Sequence, residues 1–252
     1  MEGTQEPAER VSLGAVIGET FSIYGQHAVA LLGAAVAVFL VIGIVSGLLQ
    51  NAGGVVLELI AGIVQLAGYA LYTGFVVRLV SDVRDGRRDQ SVGDLFSSAA
   101  PAILPLIVFG ILWGIGVGIG LFLLIIPGLI LITFWSVGAP AIVVERAGPI
   151  EAFGRSWRLV RGDAWSVFAT LLVVLLIVTA IHIVLRAIGT PIGNGATVVA
   201  AVISAMITAP IFALAVSVMF YDLGGGRAAE APAAPAEPPP PAEPPPPPAP
   251  AS

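Results

Sequence analysis

The stretch of sequence that decides the fold is AAPAILPLIVFGILWGIGVGIGLFLLIIPGLILITFWSVGAPAIVV, which runs from Ala99 to Val144. Its 46 residues contain no Asp, Glu, Lys or Arg. A helix that crosses a bilayer needs about 20 predominantly apolar residues, so this stretch is long enough for two crossings. The pattern therefore predicts a helical hairpin within a membrane, with its turn near Gly118 to Gly120.

The composition of the whole chain also predicts a membrane protein. Of its 252 residues, 57% are hydrophobic and 11% are charged, and the mean hydropathy is +0.98. An ordinary soluble domain carries about 25% charged residues, so this chain has too few to cover a water-facing surface. The absence of cysteine excludes disulfides, thiol nucleophiles and thiolate metal ligands. With only His27 and His182 present, we expect neither a histidine-rich metal site nor a cofactor.

The remaining apolar runs complete an all-α, polytopic bundle of six transmembrane helices. The predicted spans are 28–49, 55–80, 99–118, 121–144, 164–188 and 197–221. Residues 1–10 are polar, and the first apolar run is longer than the core of a cleaved signal peptide, so we expect it to remain as an anchor. The predicted organisation is a disordered N-terminus at 1–10, a membrane domain over 11–222 and a disordered tail over 223–252.

The arginines predict the orientation of the bundle. The chain has 11 Arg and no Lys. Ten of them lie at the termini and in the connections on one side of the predicted bundle, whereas only Arg186 lies on the other side. Because positively charged connections stay in the cytoplasm, both termini are predicted to be cytoplasmic, in a multi-pass protein of the cell membrane.

A short amphipathic segment precedes each predicted pair of spans. One covers Pro149–Arg161, where apolar residues at helical spacing predict a helix at the headgroup boundary. These apolar residues are Ile150, Phe153, Trp157 and Val160. A second segment opens at Ser91 with Asp94 three residues later, the pattern of a capping box. A third covers residues 13–24.

The C-terminal tail is rich in proline, with runs such as Pro238–Pro241 and Pro244–Pro248. Proline runs adopt the extended polyproline II conformation and bury no core. Two interpretations stay open. The tail is either a solvated disordered segment or a ligand for a groove on a cytoplasmic partner protein.

Short patterns in the second half of the chain resemble those of a known family. A Pro-Gly pair lies in the fourth predicted span, a Pro-x-x-x-x-Glu pattern at its end, and an Ala-x-x-Arg-Ser-x-x-Leu segment before the fifth span. The residues are Pro127, Gly128, Pro140, Glu145, Ala152, Arg155, Ser156 and Leu159. At these positions the chain is similar to the membrane-domain family of glycerophosphoryl diester phosphodiesterase, found in bacteria and archaea.

This resemblance implies a six-helix membrane module over most of residues 11–222. In some relatives the module is fused to a phosphodiesterase catalytic domain. This chain has no such domain, so the resemblance does not imply that activity here.

Three ionisable residues within the predicted spans form a candidate polar cluster. Glu58 lies near the outer end of the second span, and His182 and Arg186 share a face near the outer end of the fifth span. The antiparallel arrangement of the two spans predicts a similar depth for all three, where they would bind a proton or a small anion. In the alternative, Glu58 and Arg186 reach the interface and His182 packs with a hydrogen bond.

A second candidate group lies at the predicted cytoplasmic side. Glu145 and Arg155 are expected to form a salt bridge that pins the amphipathic helix to the end of the fourth span. In the alternative, Arg155, Arg158 and Arg161 form a site for anionic lipid.

These features favour a non-enzymatic accessory or scaffold protein of the membrane, whose partners are membrane lipids and a cytoplasmic protein bound through the tail. The alternative is a small transporter or lipid-handling permease with a polar site near the outer ends of the second and fifth spans. A membrane-embedded hydrolase has least support, since the chain lacks a metal-ligand motif such as HExxH. Nothing predicts binding to nucleic acid.

Overall fold

The computed structural model describes residues 12–86, 91–192 and 194–226. These residues form helices and turns with no strand, so the predicted all-α class is confirmed. The predicted disordered N-terminus at 1–10 lies outside the described residues, and so does the Pro-rich part of the tail, 227–252.

Ten α-helices make up the described part of the chain. They are α1 Leu13–Gln26, α2 Ala28–Ala52, α3 Val55–Arg84, α4 Val92–Ala99, α5 Ile103–Leu123, α6 Ile125–Phe134, α7 Gly138–Glu145, α8 Pro149–Val160, α9 Ala164–Gly189 and α10 Asn194–Asp222. Short 3-10 turns follow α4 and α9.

Six helical segments are long and apolar enough to cross a membrane, which confirms the predicted number of spans. They are Ala28–Ala52, Val55–Arg84, Val92–Leu123, Ile125–Glu145, Ala164–Gly189 and Val199–Asp222. Each pair of spans follows a short helix, namely α1, α4 or α8, in the predicted order. The predicted capping box is confirmed, because the amide of Asp94 donates to Ser91 Oγ and the amide of Ser91 donates to the Asp94 carboxylate.

The turn of the central hairpin lies beyond its predicted position. The prediction of Gly118 to Gly120 is wrong, because α5 continues to Leu123 and the chain turns at Leu124, whose backbone is extended. Pro127 is the third residue of α6, where a helix does not need its amide, and it fixes the start of that helix. Gly120 instead allows close packing, since a Cβ there would lie 3.0 Å from the Cα of Gly128.

The predicted start of the tail at residue 223 is also wrong. The amides of Gly224 and Gly225 donate to the carbonyl oxygens of Tyr221 and Phe220, which closes the end of α10 as a Schellman motif. Gly224 has a φ of 83°, a conformation that glycine adopts without strain. Residues 223–226 therefore belong to the described fold.

The bundle has two distinguishable ends. We call the end that carries α1, α4, α8 and Asp222 the arginine-rich end, and the end that carries Gly53, Leu124 and Thr190 the opposite end. Helix α10 packs against α1, α2, α3 and α9 and forms the centre of the bundle. Its largest fully buried side chains, Leu214, Met219 and Phe220, lie toward the arginine-rich end.

Helix α8 packs against the bundle through a stripe of small residues. On its predicted apolar face, Ile150 is 76% exposed and Trp157 is 43% exposed, whereas Val160 is buried. The buried stripe is Ala152, Ser156 and Val160, spaced four residues apart. Small side chains at this stripe allow α8 to approach α6 and α7 closely, which large apolar residues would prevent.

Candidate functional site

The fourth span is a broken helix, and Ser156 of α8 forms hydrogen bonds with the backbone on both sides of the break. Helix α6 ends at Phe134 and α7 begins at Gly138. The hydroxyl of Ser156 donates to the carbonyl oxygen of Phe134 at 2.7 Å and accepts from the amide of Val137 at 3.2 Å. Ser156 is completely buried, with 0% exposure. Since buried backbone groups need partners, this one hydroxyl satisfies both sides of the break.

Aromatic side chains hold α8 against the same break. The ring of Trp157 stacks on Phe134 with 4.1 Å between centroids. Phe153 contacts Trp135 edge-on at 4.7 Å and also contacts Phe109 of α5. The non-helical segment is therefore fixed by both polar and aromatic contacts.

Glu145 accepts hydrogen bonds from two elements at the arginine-rich end. Nε and Nη2 of Arg155 each donate to one of its carboxylate oxygens at 2.7 Å, a two-point contact. The backbone amide of Gly226 donates to the same carboxylate at 2.9 Å. The hydrogen bond to Glu145 raises the pKa of Arg155 above its usual value, so the pair stays charged. These are the contacts that the helix-pinning interpretation requires.

The three arginines of the alternative lipid site have different environments. Arg155 is partly buried in its pair with Glu145, whereas Arg158 and Arg161 are exposed. Any contact of this surface with anionic lipid therefore falls to Arg158 and Arg161.

A second ionic contact at this end was not predicted from the sequence. Arg84 at the end of α3 pairs with Glu19 of α1 and with Asp222 of α10, both at 2.8 Å. Its guanidinium also lies 5.4 Å from the centre of the Tyr221 ring. Arg84 therefore joins the first described helix to the last one.

The predicted cluster of three intramembrane residues is only partly brought together. His182 and Arg186 line one cavity between α9 and α10, but Glu58 does not line it. No ion pair joins Glu58 to Arg186 among the residues that the structure describes. His182 instead shares a cavity with Tyr69, about three turns further along α3 than Glu58. Glu58 therefore does not line a cavity with His182 and Arg186, and the similar depth of the three residues stays a prediction.

The cavity that holds His182 and Arg186 has a volume of about 610 Å³, and we call it the polar cavity. Ser204 of α10 also lines it. Ser204 is 1% exposed, and its hydroxyl has no hydrogen-bond partner among the described residues. The ring nitrogen Nδ1 of His182 donates to the carbonyl oxygen of Val178 at 2.9 Å, which leaves Nε2 as its other polar atom.

Two further cavities continue the polar cavity toward the arginine-rich end. The middle cavity, of about 250 Å³, shares Val178 and His182 with the polar cavity. The apolar cavity, of about 230 Å³, shares Tyr69 and Phe212 with the middle cavity. Together the three cavities face α10 from residue 200 to residue 217, a length of about 25 Å at 1.5 Å per residue.

The apolar cavity lies against the broken helix and carries no charged side chain. Trp135 and Ser136, from the break itself, form part of its wall, and Trp113 of α5 lines it as well. The hydroxyls of Ser136 and Ser217 donate to carbonyl oxygens of their own helical segments. The lining therefore offers a long apolar surface with few free polar groups.

Sequence reasoning found the ionisable residues but not the cavities. Tyr72, a wall of the middle cavity, is 1% exposed and donates its hydroxyl to the carbonyl oxygen of Leu31 at 3.2 Å, so its role is to join α2 and α3. Ser204 gives no sequence signal, because a serine in an apolar helix usually bonds to its own backbone.

No family model, no curated protein and no solved structure matches this chain. Its class therefore rests on the fold alone, which is that of a multi-pass, α-helical membrane protein. The resemblance to the membrane-domain family of glycerophosphoryl diester phosphodiesterase stays a prediction.

Proposed function

We propose that this protein takes up a lipid-like molecule from the bilayer, as a small lipid-handling permease with its termini in the cytoplasm. The observation that carries the proposal is the row of three adjoining cavities between His182 and the broken fourth span. The sequence favours an accessory protein instead, because of its Pro-rich tail, its basic interfacial helix and the few polar groups in its predicted spans. A ligand that is itself mostly apolar does not need those groups.

The broken helix supports this proposal. Transport proteins often bind substrates where a membrane helix is interrupted, since free backbone groups and a cavity occur together there. Non-helical backbone at membrane depth is tolerated only where it is covered by protein or lines a cavity. In this chain Trp135 and Ser136 do line a cavity.

The walls of the cavities favour an apolar ligand over a small polar solute or an ion. The apolar cavity has only hydroxyl groups as polar side-chain partners apart from its two indoles, and no charged residue lines it. Tyr69 and Phe212, shared by two cavities, are 50% and 49% exposed. Because protein does not cover these rings, an acyl chain from the surrounding bilayer has a lateral route to the cavities.

Tryptophan fluorescence tests the proposal directly. Trp113 and Trp135 line the apolar cavity, whereas Trp157 and Trp165 lie outside it. A Trp157→Phe/Trp165→Phe variant therefore reports on the cavity alone. In phosphatidylcholine nanodiscs, lysolipid with a brominated chain should quench its fluorescence in a saturable manner.

The matched control carries the opposite pair of changes, Trp113→Phe and Trp135→Phe. Its remaining tryptophans should be quenched only in proportion to the amount of brominated lipid in the bilayer. Ala139→Leu narrows the apolar cavity and should weaken saturable quenching, whereas Ala187→Leu, at an exposed position, should not. Proportional quenching in both tryptophan backgrounds would reject the proposal.

A scaffold role is the second candidate, and one contact favours it. The hydrogen bond from Gly226 to Glu145 fixes the point where the chain leaves the described fold, beside α8. The chain therefore leaves the described fold at the same end of the bundle as Arg158 and Arg161. Native mass spectrometry of protein extracted with its lipid tests this role. A stoichiometric protein partner should be lost on deletion of residues 228–252, and its retention would exclude the tail as the binding segment.

A further inference from the structure

Polar residues of two helices line the polar cavity. Arg186 and His182 lie one turn apart on α9, and Ser204 lines the cavity from α10. Ser204 is buried to 1% exposure, yet its hydroxyl has no partner in the described part of the chain. A buried polar group is normally hydrogen-bonded, so the Ser204 hydroxyl at this cavity wall is available to a ligand.

We propose that the polar cavity binds the anionic headgroup, a phosphate or carboxylate, of a lipid whose acyl chain lies in the middle and apolar cavities. This inference rests on the proposed function, because it assumes that a lipid enters the row of cavities. It adds the chemical class of that lipid and the residues that select it.

The charges around the cavity favour an anion. Arg186 carries a permanent positive charge and a planar set of donors that matches two oxygens of a phosphate or carboxylate. No acidic residue is among the eight described residues that line the cavity. In addition, no carboxylate within the described ranges forms an ion pair with Arg186.

The two remaining groups complete the recognition of a headgroup. The Ser204 hydroxyl is free to donate a second hydrogen bond to the anion. His182 already uses Nδ1 to donate to Val178, so Nε2 is the ring atom that is left to contact a hydroxyl of the headgroup. The cavity therefore fits a phosphorylated or carboxylated glycerol better than a bare ion.

The length of the cavity row fits the rest of a lipid. The row extends about 25 Å along α10. The acyl chains of one leaflet span about 15 Å, half of the hydrocarbon core, so the row is long enough for an acyl chain and a headgroup together. Val178 and His182 belong to both the polar and the middle cavity, so the headgroup and chain regions adjoin. A free phosphate would leave the two inner cavities unused.

The test compares two brominated lysolipids with the same stearoyl chain, lysophosphatidate and lysophosphatidylcholine. Each is titrated into the Trp157→Phe/Trp165→Phe protein in phosphatidylcholine nanodiscs. Lysophosphatidate should reach half-maximal quenching at a level about tenfold lower, because only its headgroup offers an unshielded anion to Arg186. Arg186→Gln should remove this preference, whereas Arg161→Gln, at an exposed arginine of the other end, should keep it.

Ser204→Ala provides an independent variant that should fold normally. Its hydroxyl makes no hydrogen bond in the described structure, so the unfolding transition should not move to lower denaturant. The preference for lysophosphatidate should nevertheless fall several-fold. Unchanged preference in both Arg186→Gln and Ser204→Ala would overturn the proposal.

The same titrations separate failure of this inference from failure of the proposed function. Equal saturable quenching by the two lysolipids overturns the headgroup site and leaves the lipid cavity in place. Absence of saturable quenching by either lysolipid overturns both. Inorganic phosphate should not displace lysophosphatidate even in large excess. Displacement at equal concentration would identify a site for free anions and overturn the lipid assignment.

Discussion

Ser156→Ala tests whether one hydroxyl closes the break in the fourth span. The substitution removes the partner of the Phe134 carbonyl and of the Val137 amide, two backbone groups inside the bundle. Leaving a buried polar group without a partner costs about 1–3 kcal/mol. This penalty is larger than the roughly 0.6 kcal/mol that an average hydrogen bond between membrane helices contributes to stability. We therefore expect the free energy of unfolding to fall by about 1–3 kcal/mol, or roughly 5- to 150-fold in the folding equilibrium.

The assay is reversible unfolding in mixed micelles with a rising fraction of denaturing detergent, followed by tryptophan fluorescence and circular dichroism. Ser97→Ala is the matched control, since the Ser97 hydroxyl is exposed and donates only within its own helix, to Asp94 at 2.9 Å. Its effect should stay below about 0.5 kcal/mol. If Ser156→Ala matches Ser97→Ala, the break does not depend on the Ser156 hydroxyl, and our account of the broken helix is wrong.

Three further predictions use the same unfolding assay. Arg84→Gln loses two ion pairs of 2.8 Å at partly exposed carboxylates, so we expect a loss of about 0.5–1.5 kcal/mol that shrinks near 1 M salt; an effect independent of salt would contradict an ionic origin. Arg155→Lys keeps the charge but not the two-point contact with Glu145, so it should lose most of the roughly 1–3 kcal/mol that Arg155→Gln loses; full stability of the lysine variant would show that charge alone suffices. Gly128→Ala places a methyl group 2.8 Å from a backbone nitrogen of α5 and should cost about 1–3 kcal/mol, whereas Gly118→Ala, with no atom within 4 Å, should be neutral or stabilising; equal effects would refute the close approach of α5 and α6.

The number of spans was predictable because the membrane constrains the sequence strongly. Each span needs about 20 apolar residues, and this requirement is local in the chain. The position of the turn at Leu124 was less predictable. Glycines such as Gly118 and Gly120 occur both in turns and at close contacts between helices, and the sequence does not distinguish the two roles. The partner of Gly120 is Gly128 across the hairpin, and the sequence alone does not identify such a contact.

The break in the fourth span was missed for a similar reason. Its sequence, Phe134 to Gly138, contains no charged residue and no proline, so hydropathy indicates a continuous helix. Pro140 is a sequence signal for the break, because it lies at the third position of α7, where a helix does not need its amide. What permits the break is Ser156, which lies 22 residues after Phe134 and pairs with the backbone on both sides of the break. The family resemblance did single out Ser156 and Arg155, but it implied no contact for either of them.

The cavity residues illustrate the limit of reasoning from ionisable groups. Arg186 and His182 were predicted to matter because charge is costly in a membrane, and the structure places them at one cavity. Glu58 was grouped with them by counting residues from the ends of helices, and such a count does not show which side chains line the same cavity. Ser204 lacks a charge, and only its burial without a partner draws attention to it.

An apolar cavity has a different consequence for a protein in a bilayer than for a protein in water. In water, such a cavity lowers stability, because its walls lose contacts and nothing apolar is available to fill it. In a membrane, lipid chains are as apolar as leucine, so a cavity with half-exposed walls such as Tyr69 and Phe212 is within reach of a suitable occupant. The arginine-rich end is fixed by Glu145 and Arg84, while the cavities extend toward the opposite end. Under the proposed function, these ionic contacts would hold one end of the bundle together while a lipid enters the cavities that extend toward the other end.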